Sequence, residues 1–510
     1  MAMADRTKTA MIRVAQAAAL VIIWVSLVHL RGPYMYYHEP EAGTPEQQAE
    51  DEAFIHAAAA VEFPAPIDYA PIQEACTRVR PTHFRPGLVF TCEEQHGGVG
   101  MLRLQILKCV RYAIHAGAAV VIPSLSKRNP HDITDIETTV QVPMDYLFDR
   151  DAFVQHLTQG CPGMRLYDRV EDFPNYAQRA VEPLSIVGDQ FEKQSNTRKG
   201  ANETSSAAAK EEDGDDQESR LLFPREWRNY LDSWLTRQNI EIRPEAPVHI
   251  KLGQTYLEYP VREDGDAFAG EFGKILSFRN ETRVMAARVL AALRRKVEGK
   301  NDEAQNNTID PSVAVTPHAY YGAHLRLEKD AVSAWDPDQY RFSRMDDQFE
   351  EQFQNFRRTG LDVVYVASGN RTVVDLFAQY LQRRITEEEG KDLLLRARNS
   401  TSSSSRSHIR NVTVVTKEDL LRGDSLKELE QMTFDQLGLV DFLMMFKASA
   451  FMGVAFSSFP WTVALRRHEL SKYREIRNNG SDILRDEYSE LMGMRKDYPS
   501  VDPFDRGLWP

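Results

Sequence analysis

Three short stretches carry residue types that could do chemistry. In GAHLRLEKDA a strand-like alternation places His324, Arg326 and Glu328 on one face and Leu325 and Leu327 on the other. Three ionisable groups on one face are costly unless solvated, paired or bound to a ligand. A guanidinium suits a departing diphosphate, because it is permanently charged and donates two parallel hydrogen bonds. An edge strand with an ordinary Arg326–Glu328 salt bridge would give the same pattern. In GVAFSSFPWTVALRRH, the hydroxyls of Ser457 and Ser458 stand between a strand and a helix, with Phe459 beside them. Either serine can cap the helix, and the same group of features also makes a seat for a diphosphate and a base. In HGGVGMLRLQ, His96 to Gln105, three glycines follow an apolar run and precede a helical stretch. Such a loop either turns the chain or lets the backbone approach a phosphate closely. It lacks the lysine and hydroxyl of a Walker loop and the spacing of the dinucleotide fingerprint. Asp-x-Asp pairs at Asp264 and Asp266 and at Asp336 and Asp338 lie in loop-like sequence and are assigned to no metal, and no Cys/His cluster has zinc spacing.

Positioning such groups takes a scaffold, and the apolar runs supply one. GLVFTC and GAAVVIPSL read as strands, and RLQILKCVRYAIHAG between them has helical spacing and ends at a glycine. A strand, glycine loop, helix and strand in that order open a doubly wound α/β domain. A second series starts near residue 315. YYGAHLRL, LDVVYVASGN, VTVVT and FMGVAF read as strands, and RTVVDLFAQYLQRR, LGLVDFLMMFKASA and SSFPWTVALRRH as helices. TRVMAARVLAALRRKV is an amphipathic helix between the two series. The polar tracts 192–219 and 398–411 cannot bury enough apolar surface to order themselves and read as insertions.

At 510 residues, two core domains are expected, and the formal charge of −13, with no basic stripe, argues against a nucleic-acid partner. Val14 to Leu30 is strongly apolar with basic residues before it, which predicts an uncleaved membrane anchor with a cytoplasmic N-terminus; a cleaved signal peptide is the rival. An acidic, alanine-rich tether follows, Glu39 to Glu62. The rest of the chain would then be lumenal, where N-x-S/T patterns at Asn202, Asn280, Asn306, Asn370, Asn399, Asn411 and Asn479 can carry glycans. Asn370 and Asn411 stand beside buried strands, where a glycan would not fit. Cys76, Cys92, Cys109 and Cys161 permit three pairings, and Cys109, in an apolar helix, reads equally well as a plain buried thiol.

From about Gly87 to His468, the blocks HGGVGMLRLQILKCVRYAIHAGAAVVIPSL, YLFDRDAFVQHL, FRNETRVMAARVLAALRR, GAHLRLEKDA, VVYVASGN and LVDFLMMFKASAFMGVAFSSFPWTVALRRH occur in an order that resembles the GDP-fucose protein O-fucosyltransferase superfamily, with its plant and fungal members. The resemblance implies a GT-B fold, inverting transfer without a metal ion or other cofactor, and a single-pass type II protein of the Golgi or endoplasmic reticulum. His324 and Arg326 match the family's His-x-Arg, whose arginine contacts the diphosphate of the donor and promotes its departure. Asp441, Ser458 and Phe459, with Ser457 adjacent, match positions that hold the nucleotide. Gly97, Gly98, Val99, Gly100 and Met101 match the first-strand loop bordering donor and acceptor, and Arg103 matches the plant-type arginine after it. The loop departs from the family where members commonly carry asparagine, at Gly100 or Met101, and where some carry a glutamate base, at Gly98. Glu93, Glu94 and Glu328 are the candidates for an acceptor base.

The reading is thus an α/β, GT-B-like chain: tail 1–13, anchor 14–31, stem 32–85, N-terminal Rossmann-like domain 86–250, linker helices 251–314 and C-terminal nucleotide-sugar-binding domain 315–510. Its expected function is transfer of fucose from GDP-fucose to a hydroxyl of a protein or glycan. The alternatives are transfer of another nucleotide sugar and a catalytically silent nucleotide-sugar-binding protein of the same fold.

Overall fold

The computed structural model describes residues 44–78, 84–93, 97–129, 132–135, 140–186, 227–253, 261–298, 309–334, 336–399, 412–468, 477–478, 483–493 and 507–510. The expected anchor at 14–31 and tract 192–219 lie outside the described residues, as does nearly all of tract 398–411. Among the described residues, no helix is long and apolar enough to cross a membrane. Of the unit Met1–Ala53, only the start of the helix Pro45–Ala60 and the residue before it are described.

Within the second unit, Phe54–Pro510, the apolar runs become the strands of two sheets. In chain order these are β1 (Leu88–Cys92), β2 (Ala119–Val121), β3 (Leu125–Lys127), β4 (Val140–Val142), β5 (Leu166–Tyr167), β6 (Leu184–Ile186), β7 (Val248–Leu252), β8 (Tyr321–His324), β9 (Val363–Ala367), β10 (Thr413–Val415), β11 (Ala450–Val454), β12 (Arg477–Asn478), β13 (Ile483–Arg485) and β14 (Ser489–Met492). The first sheet runs β5-β2-β1-β7-β6 and is parallel throughout. The second runs β10-β9-β8-β11-β14-β13-β12, parallel as far as β14 and antiparallel beyond it. The fold is therefore α/β with parallel sheets. Strands β3 and β4 form a separate antiparallel pair.

Six helices matter for the site: α1 (Val99–Ala116), α2 (Asn280–Glu298), α3 (Met345–Thr359), α4 (Arg371–Asn399), α5 (Phe434–Lys447) and α6 (Ser458–His468). Helix α1 is almost wholly buried, and it stops at Gly117, whose left-handed backbone (φ 69°) lets its N–H reach the carbonyls of Ala113 and Ile114. Helix α5 starts at a capping box. Gln436 N–H donates to Thr433 Oγ1 at 3.4 Å, and Thr433 N–H to Gln436 Oε1 at 3.1 Å.

Three sequence expectations are corrected here. Part of the expected stem is folded: Phe54, Ala58, Ala59, Ile72 and Cys76 are core residues. Glu62 is buried, accepts the N–H of Phe278 at 2.7 Å and pairs with buried Arg466 at 3.4 Å. The small alanines allow close helix packing, and the buried carboxylate is tolerated because a cation and a backbone donor satisfy it. Next, Cys109 is not a thiol. It pairs with Cys92, and Cys76 with Cys161, at Cα separations of 5.9 and 5.7 Å. The Cys92–Cys109 bridge ties the end of β1 to the middle of α1 and so brackets the glycine loop. Finally, Asn370 is exposed, and its Oδ1 accepts the N–H of Thr372 at 3.1 Å at the start of α4, so it is not crowded by β9.

Candidate functional site

The C-terminal ends of β8, β9, β10 and β11, four neighbours in one sheet, open on a cavity of about 990 Å³. Beside β8 the order reverses, since the chain proceeds to β9 on one side and returns as β11 on the other. Crevices outside the strand ends at such a switch point are where open α/β sheets bind ligands. The glycine loop and the first residues of α1 also line it, with Gly100 packed against Ser458 at the start of α6.

His324 is the last residue of β8 and is 7% exposed. Its ring stacks on Phe459 with centroids 4.8 Å apart, and Phe442 meets Phe459 edge-on at 5.5 Å. Its Nδ1 is buried with no hydrogen-bond partner among the described residues, and the ring lines the cavity. Burial lowers its pKa from 6.5 to about 4, so the imidazole is neutral at physiological pH and available to a ligand. Above 6.5 both folded and unfolded forms are neutral; as pH falls toward 4 the unfolded chain takes up a proton that the folded chain refuses. Unfolding midpoints in urea are accordingly expected to fall between pH 6.5 and 4, with a shallower dependence in His324→Gln; identical slopes would remove the assignment.

Beyond His324 the expected alternation ends, because the strand ends. Leu325 N–H still bonds to Ala367 O at 3.0 Å, but the backbone of Arg326 is taken by the side chain of Gln348 on α3. Gln348 Oε1 accepts Arg326 N–H, and Gln348 Nε2 donates to Arg326 O, each at 3.0 Å. One buried amide thus replaces a neighbouring strand and turns the chain, and Arg326 and Glu328 reach the cavity from a loop. Arg326 Nη1 donates to Glu328 Oε2 at 2.7 Å and to Asp330 Oδ1 at 2.8 Å, and Nη2 to Asp330 Oδ2 at 2.5 Å. The salt bridge weighed from the sequence is therefore present, and it occupies the guanidinium nitrogens that a ligand would need. Burial opposes the guanidinium charge, but the two carboxylates outweigh it and hold Arg326 protonated above its ordinary range. Burial would raise Glu328, yet Arg326 and the Gly369 N–H, 2.8 Å away, keep it below the usual carboxylate value. Asp330 is lowered in the same way.

After β11, Ser457, Ser458 and Phe459 line the cavity at the start of α6. Helix α5 presents Asp441, 6% exposed, whose Oδ1 accepts from Tyr365 Oη at 2.7 Å and Oδ2 from Lys417 Nζ at 2.8 Å. Lys417 is buried, which disfavours its charge, but Asp441 and Glu418 reverse that and raise its pKa. Burial raises the Asp441 carboxyl above its ordinary value even against Lys417; with the two groups 2.8 Å apart and Lys417 held protonated, we read them as a buried ion pair.

Gly97, Gly98, Val99, Gly100 and Met101 line the cavity, and Gly97 has the positive φ of 108° that the loop's turn requires. Arg103 is corrected. It does not line the cavity but is buried on the far side of α1, donating to Trp509 O at 2.8 Å, Gly273 O at 2.6 Å and the Pro510 carbonyl. Two residues past Met101 is a rotation of about 200° around a helix, which turns Arg103 away from the wall that Met101 faces. Glu94 lies outside the described residues, and Glu93 pairs with Lys251 at 3.1 Å on β7. Asp264 is spent on Arg111 at 2.8 Å, and among the described residues no group of three or more His, Cys, Asp or Glu could hold a metal ion.

Sequence reasoning missed Arg128, Asp330, Lys417 and Phe434, all on the cavity. Lys417 follows the end of β10, in VTVVTK, which is the position from which parallel sheets present binding groups, whereas Arg128 follows β3 of the separate antiparallel pair.

Comparison with solved structures finds POFUT1 in complex with GDP-fucose, at 13% identity and a TM-score of 0.39 over 81% of this chain and 99% of that one. The POFUT1 apo-form matches at 12% and 0.40 over 81% and 100%, and a mutant of Arabidopsis thaliana FUT1 in complex with GDP at 12% and 0.33 over 85% and 80%. No curated protein gives a significant match. The family model for GDP-fucose protein O-fucosyltransferase matches residues 88–470, a span that holds the whole first sheet, β8 to β11 of the second and every described residue of the cavity. The chain belongs to the GDP-fucose protein O-fucosyltransferase family and is a glycosyltransferase of the fucosyltransferase type.

Proposed function

We propose that the chain is an inverting, metal-independent O-fucosyltransferase that moves fucose from GDP-fucose to a hydroxyl of a protein or glycan. One observation carries the reading: His324, Arg326, Asp441, Ser457, Ser458, Phe459 and the Gly97–Met101 loop, from distant parts of a chain of this family, line a single cavity. Its volume lies within the roughly 300–1,000 Å³ of small-molecule sites. In this reading Phe459 and the start of α6 hold the nucleotide, with Asp441 beside it, paired to Lys417. The acceptor oxygen bonds to the anomeric carbon as the bond to the diphosphate breaks, with GDP leaving and the hydroxyl proton passing to a base. Arg326 takes up the charge that grows on the diphosphate, a role for a preorganised donor in a water-poor site. Glu328 is a poor base while Arg326 and the Gly369 N–H hold it ionised and occupied.

The same reading treats the two sheets as Rossmann-like halves, at 86–250 and 315–510. It keeps Val14 to Leu30 as a type II anchor that places the site in the Golgi or endoplasmic reticulum lumen; the basic flank before it supports that orientation. Calorimetry of the full chain against GDP, GDP-fucose, UDP and UDP-rhamnose tests the donor class. Binding selective for GDP and GDP-fucose is expected, and equal binding of the uridine compounds would overturn it.

A further inference from the structure

The cations facing the cavity differ in how far the protein has already occupied them. Arg326 has both η nitrogens on the carboxylates of Glu328 and Asp330. Lys417 is held by Asp441 at 2.8 Å and Glu418 at 3.3 Å. Arg371 is half exposed and committed to Asp375 and Asp419. Arg128, which follows β3, is built differently. Its Nε donates to Asp435 Oδ1 at 2.7 Å and its backbone N–H to Asp435 Oδ2 at 3.3 Å. Its guanidinium lies over the ring of Phe434, 4.8 Å from the centroid. Asp435 is itself 1% exposed and in the first turn of α5, so the anchor is rigid. Neither Nη1 nor Nη2 of Arg128 has a hydrogen-bond partner among the described residues, and the residue lines the cavity.

The direction in which that free edge points is fixed by the glycine loop. A Cβ built on Gly98 would lie 3.8 Å from Nη1 and 3.9 Å from Nη2, so the two nitrogens face the loop almost symmetrically. We propose that the η edge of Arg128 receives the phosphate oxygens of the donor's diphosphate against the Gly97–Gly98 backbone. This rests on the nucleotide-sugar reading of the cavity and adds to it a residue outside the matched motifs. A planar fork with two parallel donors fits a phosphate bidentately, and a ring beneath with a buried carboxylate behind leaves it little freedom to lose on binding. The bare glycine is part of the device, since any acidic side chain at 98 would itself fill the fork.

Two kinds of variant test this in the full chain, with GDP, guanosine and inorganic pyrophosphate as probes in calorimetry. Arg128→Lys keeps a cation for Asp435 but removes the η edge. Gly98→Asp and Gly98→Asn leave Arg128 and Asp435 untouched, are equal in size and differ in charge. Gly98 has φ −71° and ψ 167°, a backbone open to any residue, so both are expected to fold. Arg128→Lys is expected to weaken GDP and pyrophosphate on the order of 10- to 100-fold, with guanosine unchanged. Gly98→Asp is expected to fall below Gly98→Asn by a similar factor. Equal binding by wild type and Arg128→Lys, equal binding by the two Gly98 variants, or no binding of either anion by the wild type would each overturn the proposal. Arg128-dependent binding of pyrophosphate without selectivity for GDP would uphold it while removing the guanosine-specific reading of the donor.

Discussion

Arg326→Lys is expected to lower transfer from GDP-fucose on the order of 100- to 1,000-fold while the folded state survives. Lysine retains one positive charge between Glu328 and Asp330 but has no planar fork with which to hold both carboxylates and still turn a donor toward a diphosphate. Arg326→Ala is a different experiment. It leaves Glu328 and Asp330, 12% and 21% exposed at their side chains, facing each other without their cation, so lost activity and lost stability arrive together. Comparing the two by initial rates and urea midpoints separates the roles. A lysine variant as active as wild type would show that the guanidinium geometry is not used.

The second large effect is expected at Gly100. A Cβ there would stand 2.8 Å from Ser458 Oγ and 3.0 Å from the Ser458 carbonyl carbon, so Gly100→Ala must push the glycine loop and the start of α6 apart. Those are the two walls that would grip the donor. A misplacement of about 1 Å at a reacting site costs up to about 100-fold, and a loss approaching that in kcat/KM is expected. The disulfide Cys92–Cys109 behind the loop limits its retreat, so the strain falls on the loop itself. Unchanged kcat/KM in Gly100→Ala, with a melting temperature equal to wild type, would mean that the contact is slack and the glycine dispensable.

Much of this architecture could be read from the chain because the signals were local. Continuous apolar runs became β1, β2, β8, β9, β10 and β11, and helical spacing ending at Gly117 became α1. Strand β7 carries a good alternation in VHIKL yet went unread between polar neighbours; β12 to β14 are short stretches in polar sequence that pair with one another in turn, and only β14 reaches a distant strand, β11. The cavity was legible as a set of motifs, since strand ends present binding groups whatever the tertiary detail. Orientation was not. Arg103 and Met101 are neighbours in sequence and opposite on the helix, and the end of β8 at His324 depended on Gln348 reaching across from α3. Arg128 was invisible for a related reason. Its value lies in what it is not bonded to, and only the placement of Asp435 and Phe434 reveals that.

The central claim is that this cavity breaks the bond between fucose and GDP. The direct measurement is incubation of the purified full chain with GDP-fucose labelled in the sugar, following GDP release and label appearing on water or on secreted glycoproteins, with Arg326→Lys alongside. Wild type is expected to release GDP, and the variant to do so on the order of 100-fold or more slowly. Tight GDP-fucose binding with no release by the wild type would contradict it and leave a protein that holds the nucleotide sugar without transferring it.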